Sequence, residues 1–338
     1  MRFEYYHSNL ENVPKLSVDG TVDNAVHFSH WQGNQTPAEL KADTSTEIAL
    51  NLVAAPNRNE LTRGIELVTN NHFDTDGVLS VWTVLTGERA LELREQLIPA
   101  AEAGDFSEFR NEVAVRASIV IQGSDQPIPE TDSRSPLAFQ LARENVDDAR
   151  AYELVLPEVE RLLTRTDEYE PLWRSAWDKI ATAIESFERG ASTVTEFGEA
   201  GVSLITLAPD VFSPSGFNPT RHAAPYTAIS HYARGRLFII TTPLNNGWSY
   251  RIDYPYYSWA ETIVRPRIER RDFSQLLLRL NQAEGDHGVW KADNSELASA
   301  VKFLSDDGTL AASTLAPDEV AKAIRAEMIS GEASVAAG

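Results

Sequence analysis

The sequence predicts an α/β fold: a parallel sheet with helices on its faces in the N-terminal half, a helical middle, and a C-terminal strand hairpin plus helices. Three observations predict it. Between residues 24 and 125, short apolar runs alternate with stretches of helical periodicity, the order that yields a parallel sheet covered by helices. From Pro136 to Phe197 apolar residues recur at helical spacing. Asn245-Asn246-Gly247 separates two apolar runs at 236–242 and 249–254, a strong hairpin signal.

Taken in order, Asn24–Trp31 reads as a short buried strand. Thr36 is then the expected N-cap of a helix running to about Ala54, with Pro37 in its first turn and Glu39 at the capping-box position. Gly64–Phe73 is the next expected strand, broken by Asp74-Thr75-Asp76-Gly77. A helix is expected from Val78, a second over Gly87–Ala103, and a third strand over Glu112–Ile121. In the middle, Leu137, Leu141, Tyr152, Leu156, Val159, Leu162 and Leu163 form one apolar stripe, and Leu172, Trp173, Ile180 and Ile184 another. A strand is expected at Val202–Ala208, helices at Asp272–Glu284 and 314–329, and a disordered tail from Gly331. The expected organisation is 1–125 as the α/β motif region, 136–200 as the helical region and 201–330 as an α/β region with the hairpin. All three are also compatible with one composite domain.

Composition excludes several classes. The 338 residues carry a formal net charge of -20 and no Cys, which removes disulfide scaffolds, thiolate zinc sites, iron–sulfur clusters and Cys nucleophiles. The N-terminal segment lacks a signal peptide's apolar core, and no apolar run approaches the ~20 residues of a membrane span. A cytoplasmic protein without membrane association is therefore expected. So strong an acidity works against binding double-stranded nucleic acid but permits a small anionic substrate in a local pocket. There is no Gly-x-Ser-x-Gly elbow, phosphate-binding Gly-Lys-Ser/Thr loop, dinucleotide fingerprint or His-Glu-x-x-His.

Chemistry concentrates in Asn70-Asn71-His72-Phe73-Asp74-Thr75-Asp76-Gly77-Val78-Leu79-Ser80. Ligands of parallel sheets sit beyond the carboxyl ends of the strands, and this stretch follows such a strand. One imidazole and two carboxylates fall within five residues. Adjacent carboxylates repel unless a cation or donors neutralise them, and hard oxygens with an imidazole suit Mn²⁺, Fe²⁺, Mg²⁺ or Zn²⁺, Mn²⁺ being the expected cofactor. Gly77 is expected to supply unusual backbone angles in a tight turn. The competing interpretation is structural: Asp74 forms an Asx-turn and Asp76 caps the helix.

His-x-Asp-x-Asp-Gly-x-x-Ser, as it stands at His72–Ser80, resembles the first motif of the DHH phosphoesterase superfamily. The resemblance covers some ten residues. It implies that Asp74 and Asp76 are metal ligands, that His72 is the motif's His, and that water is activated by metal for attack on a phosphoester or phosphoanhydride. Asn70 stands where members with the longer spacing carry their first His. The family's Asp-His-His triplet is missing, the nearest string being Asp286-His287-Gly288, and so is its glycine-rich Gly-Gly-Gly-His motif. Asp125 is the expected equivalent of the isolated second-motif Asp.

Sheet logic adds His30, at the end of the first strand and near His72, while His27 reads as structural. Asp210 ends a later strand. Asp43 and Glu47 share one helix face and read as solvent-exposed. Asn34, Arg221 and His222 are candidates for binding an anionic substrate, with His231 and Arg234 beside them. Arg265, Arg267, Arg270 and Arg271 form the only dense basic run, either an anion-binding wall or a solvated helix entry. Tyr254, Tyr256, Tyr257 and Trp259 read as hairpin packing.

The expected function is thus a metal-dependent hydrolase. His72 and Asp76 are its catalytic residues, and His72, Asp74, Asp76, His30 and Asp125 its metal ligands. Alternatives are a mononuclear Fe or Mn enzyme with redox or lyase chemistry, and a non-enzymatic acidic binding protein. Asp76→Asn is expected to abolish metal-dependent activity with little loss of fold.

Overall fold

The computed structural model describes residues 1–123, 146–209, 211, 225–286, 288–292, 298–309 and 311–335. It divides into two units, residues 1–178 with 259–267, and residues 179–258 with 268–338.

The first unit contains a four-stranded parallel sheet of β1 (Arg2–Phe3), β2 (Lys15–Val18), β3 (Val26–Phe28) and β4 (Leu67–Thr69), in the order β1-β4-β2-β3. Its helices are α1 (Ser45–Ala54), α2 (Arg58–Leu61), α3 (Thr75–Thr86), α4 (Arg94–Asp105), α5 (Glu112–Gln122), α6 (Asp148–Val155) and α7 (Val159–Thr164). α8 (Glu170–Glu188) follows, and the division between the units falls within it. β2 and β4 are buried throughout, as befits central parallel strands covered on both faces. Leu16, Val18, Leu67, Val68, Val78, Leu79, Leu50 and Leu97 form part of the core.

Two expectations for this unit change. Glu112–Ile121 is helical, not a strand. Asn111 caps α5 by accepting from the Ala114 amide at 2.9 Å, Glu112 pairs with Arg116 one turn on, and Ala114, Val115, Ala117, Ser118, Val120 and Ile121 are its buried face. Those positions have helical spacing, which outweighs the β-branched composition. The helix expected from Thr36 begins only at Ser45. Thr36 Oγ1 instead bonds the Ser29 amide and carbonyl, each at 2.9 Å, and Thr44 is the cap, accepting from Glu47 N. The capping box at Thr36 was therefore a local pattern with a tertiary use. β1 and β2, both before residue 24, have no counterpart among the expected strands.

The second unit is built on a mixed six-stranded sheet, order β5-β6-β7-β8-β10-β9. It comprises β5 (Thr193–Phe197), β6 (Val202–Thr206), β7 (Leu237–Leu244), β8 (Gly247–Asp253), β9 (Val289–Ala292) and β10 (Ser299–Leu304), with α9 (Tyr226–Tyr232), α10 (Ser274–Glu284) and α11 (Pro317–Val335). Among the described residues, only β6 and β7 of this sheet pair in parallel. The β7–β8 hairpin turns at Asn245-Asn246, as the sequence predicts. β9 and β10 were not anticipated. α11 extends through Val335, past the start of the expected disordered tail. Leu237, Ile239, Tyr250, Ile252, Leu276, Trp290, Phe303 and Ile324 belong to one core cluster. Among the described residues, no helix is long and apolar enough to cross a membrane.

Candidate metal centre

Three parallel strands end on one edge of the first sheet, and each is followed by an ionisable residue. Asp19 directly follows β2, His30 lies two residues beyond β3, and His72 and Asp74 lie in the loop between β4 and α3. Asp76 sits in the first turn of α3, and Asp105 is the last residue of α4. The side chains converge in two groups that share one carboxylate: Asp19, His30, Asp76 and Asp105, and Asp19, His72 and Asp74.

The inner group is buried. His30 Nδ1 lies 2.7 Å from the Asp43 carbonyl oxygen. A carbonyl only accepts, so Nδ1 carries a proton and Nε2 is the nitrogen whose lone pair a cation would take on displacing its proton. Nε2 lies 3.2 Å from Asp105 Oδ2, 3.3 Å from Asp19 Oδ1 and 3.7 Å from Asp76 Oδ2, yet it makes no hydrogen bond. A buried imidazole nitrogen without a hydrogen-bond partner, ringed by carboxylate oxygens, has the donor chemistry of a cation ligand. The described residues fit a divalent metal.

Asp19 joins the groups. Its Oδ1 faces His30 and accepts from Ser45 Oγ at 2.8 Å, while its Oδ2 lies 3.1 Å from His72 Nε2. Asp19 has φ of 62°, a left-handed conformation that Asp tolerates better than most residues and that recurs at functional sites. The outer group is more open: the His72 and Asp74 side chains are 31% and 27% exposed, against 1% for Asp19, so a ligand can reach it.

Two of the acids also have structural duties. Asp74 is the N-cap of α3, with Oδ1 accepting from Gly77 N at 2.7 Å and Oδ2 lying 3.0 Å from His72 Nε2. The cap is thus Asp74 rather than Asp76. Asp76 accepts from Ser45 N and Thr46 N, both at 2.7 Å, at the start of α1, where the helix dipole favours an anion. Gly77 has no left-handed backbone. Space is what it provides, since a Cβ there would lie 2.5 Å from Asn70 Nδ2 and 2.8 Å from the Tyr152 hydroxyl.

The charges conflict without a cation. Burial, then the neighbouring Asp19, pushes Asp76 up to about 7. Burial and the carboxylates of Asp74 and Asp76 push Asp105 well above the carboxylate range. Burial opposes protonation of His30, but Asp105 and Asp19 overcome it and hold the ring high. His72 is raised to about 11, Asp19 and Asp74 outweighing its burial. For Asp19 burial acts upward and is outweighed by His30 and His72, which keep it below the usual range. Two like charges 4 Å apart repel by about 4 kcal/mol at an effective dielectric of ~20, so a divalent cation would relieve several such terms together.

The remaining candidates fall in different places. Asp125, Arg221, His222 and Asp210 lie outside the described residues. The expected reason for Asp125 has gone, because Glu112–Gln122 is a helix. Asn34 is engaged by its own loop and by Glu261: Nδ2 donates to the Trp31 carbonyl and Glu261, each at 2.8 Å, and Oδ1 accepts from Thr36 N. His27 Nε2 lies 2.7 Å from the Val22 carbonyl, the expected structural role. In the second unit, His231 packs edge-on to Tyr232 and Arg234 donates to the Ser230 carbonyl. Asp43 is buried rather than exposed, and Glu47 pairs with Arg94 at 2.8 Å. Arg265 is neither solvated nor an anion wall: it is buried against Asp43, Glu102 and Glu108. Trp259 packs on His30 and Trp31 rather than on the hairpin.

Sequence reasoning missed Asp19 and Asp105. A signal for Asp19 was available in Leu16-Ser17-Val18-Asp19-Gly20, an apolar run closed by Asp-Gly, the same grammar as Asp76-Gly77. Asp105 carries no local signal, since it reaches the site only through the packing of α4.

Fold and site together define an α/β protein with a buried carboxylate–imidazole centre that can hold a metal. The chain belongs to the family of unknown function DUF6687, which matches residues 1–330. No curated protein matches it. Among solved structures it is similar to a pGpG-specific phosphodiesterase, PggH, from Vibrio cholerae, at 11% identity, 93% of this chain, 83% of that chain and a TM-score of 0.41. At that distance the likeness bears on neither substrate nor mechanism.

Proposed function

We propose that the chain is a metal-dependent hydrolase of a phosphoester or similar small anionic substrate, with two divalent cations, Mn²⁺ first among them. The observation that carries this reading is the shared carboxylate: Asp19 turns one oxygen to His30 and the other to His72. Sharing one carboxylate between two ligand groups suits a pair of cations, and such pairs lower the pKa of water and stabilise the attacking and leaving oxygens of phosphoryl transfer.

His30, Asp76 and Asp105 would hold the inner cation, His72 and Asp74 the outer one, and Asp19 both. The protein's own contribution is rigidity and access. The Asp43 carbonyl orients His30, the α1 amides orient Asp76, and the partial exposure of His72 and Asp74 leaves the outer group open to an anionic substrate. The resemblance of His72–Ser80 to the DHH motif agrees with this assignment for Asp74 and Asp76. A mononuclear oxygenase centre fits less well: such iron sites use two His and one carboxylate, whereas the inner group has one His and three carboxylates.

The test is elemental analysis and Mn²⁺-dependent hydrolysis of a chromogenic phosphodiester, wild type beside Asp19→Asn. Two cations per chain and turnover in wild type, with loss of both in the variant, are expected. Wild type that takes up no Mn²⁺ after dialysis against it would end the proposal.

A further inference from the structure

Residues 259–267 pack in the first unit although both flanking segments belong to the second. The segment closes a turn, Thr262 Oγ1 donating to the Arg265 carbonyl at 2.9 Å, and the amides of Ile263, Val264 and Arg265 all donate to the carboxylate of Asp43. Consecutive amides converging this way form an anion-holding concavity, and here the anion is Asp43. The Arg265 guanidinium adds a bond to Asp43 Oδ2 at 2.7 Å and reaches on to Glu102 at 2.6 Å and to Glu108 at 2.6 and 2.7 Å.

Each partner leads to the inner group. The main-chain oxygen of Asp43 fixes His30 Nδ1. Glu102 and Glu108 lie three residues either side of Asp105. Phe106 stacks under the guanidinium at 4.8 Å and lies 5.7 Å from the His30 ring, while Trp259 closes on that ring edge-on at 4.9 Å.

We propose that residues 259–267 are a positioning strap for the inner cation, in which Arg265 braces His30 through Asp43 and Asp105 through Glu102 and Glu108. The proposal rests on the two-cation reading above. Arg265 acts through Asp43, Glu102 and Glu108, which hold the ligands in turn. A lysine would keep the charge but lose the planar fork that spans three carboxylates.

The test uses the full chain, with Arg265→Lys and Asp43→Asn titrated with Mn²⁺ by calorimetry and examined by electron paramagnetic resonance. Partners that orient metal ligands usually contribute 10–100-fold in affinity. The strap therefore predicts inner-site affinity weaker by about that factor, unchanged outer-site affinity, and a coupled-pair spectrum replaced by that of isolated Mn²⁺. Folded variants with both affinities unchanged would overturn the strap and leave the metal centre standing. Equal weakening at both sites with a lowered Tm would also overturn it, as general destabilisation. Wild type that binds no Mn²⁺ removes both proposals. Should Arg265→Lys fail to fold, Asp43→Asn, which keeps the side chain's shape, carries the same test.

Discussion

Asp76 takes the first two amides of the helix that Ser45 begins: its Oδ2 accepts the Ser45 amide and its Oδ1 the Thr46 amide, both at 2.7 Å. A candidate metal ligand from one helix thus closes the start of another. The same Ser45 donates its hydroxyl to Asp19, so the start of α1 holds two of the inner carboxylates in place. Ligand geometry and fold stability are carried here by the same atoms.

That relationship changes what substitution of Asp76 should do. An Asn can accept only one of the two amides and presents its own N–H groups to the other, a loss of about 1 kcal/mol. Asp105 faces His30 and caps no helix. Asp76→Asn is therefore expected to be less stable than Asp105→Asn by about 1 kcal/mol in metal-free protein near pH ~8, where Asp76 is ionised, and both should lose inner-site Mn²⁺. Urea denaturation in chelator reads the order, and equal midpoints would show that the α1 amides find other partners.

The pH dependence of metal-free stability has a definite sign. Asp76, raised to about 7, and Asp105 keep protons in the folded state that the unfolded chain has released above pH 3.8. His30 and His72 do the same above pH 6.5. Where the folded state binds more protons, stability falls as pH rises, so Tm in chelator should drop from about pH 5 to about pH 8. The depressed pKa of Asp19 acts only below pH 3.8, outside that window. Metal binding displaces those protons, so the Tm increment from Mn²⁺ should grow over the same range. Thermal melts at four pH values check this, and a flat increment would contradict it.

Gly77→Ala isolates the role of space. The backbone is ordinary helix, so propensity favours Ala, but the added methyl meets Asn70, the Tyr152 hydroxyl and Asp74 Oδ1 at 3.0 Å or less. Asn70 and Tyr152 are fully buried and bonded to each other, so neither yields freely. A loss of ~1–3 kcal/mol is expected from overpacking, measured by chemical denaturation. A stabilised variant would mean that the pocket relaxes and propensity wins.

What was legible beforehand followed local rules. The strand before His72, the Asp-x-Asp-Gly helix start, the hairpin at Asn245–Gly247 and the helical pattern from Tyr152 to Ile184 each express a short-range preference, and each fell near its expected place, while Leu137 and Leu141 lie outside the described residues. The helix at Glu112–Gln122 did not, because its β-branched residues suit either structure locally and only burial of one helical face decides. Among the candidate ligands, His30, His72, Asp74 and Asp76 were readable as an imidazole or acid following an apolar run.

Local pattern along the chain encodes the α/β class, the alternation that makes the first sheet parallel, and the acidic cluster at the end of β4, since those depend on periodicity, turn chemistry and capping within a few residues. Tertiary structure alone decided that Asp19 lies between His30 and His72, that Asp105 arrives from the far end of α4, and that Asp43 and Arg265 meet across more than two hundred residues of chain. Those contacts depend on sheet order and helix docking, which no local window encodes. They stay together because charges taken out of water this deeply require partners in three dimensions.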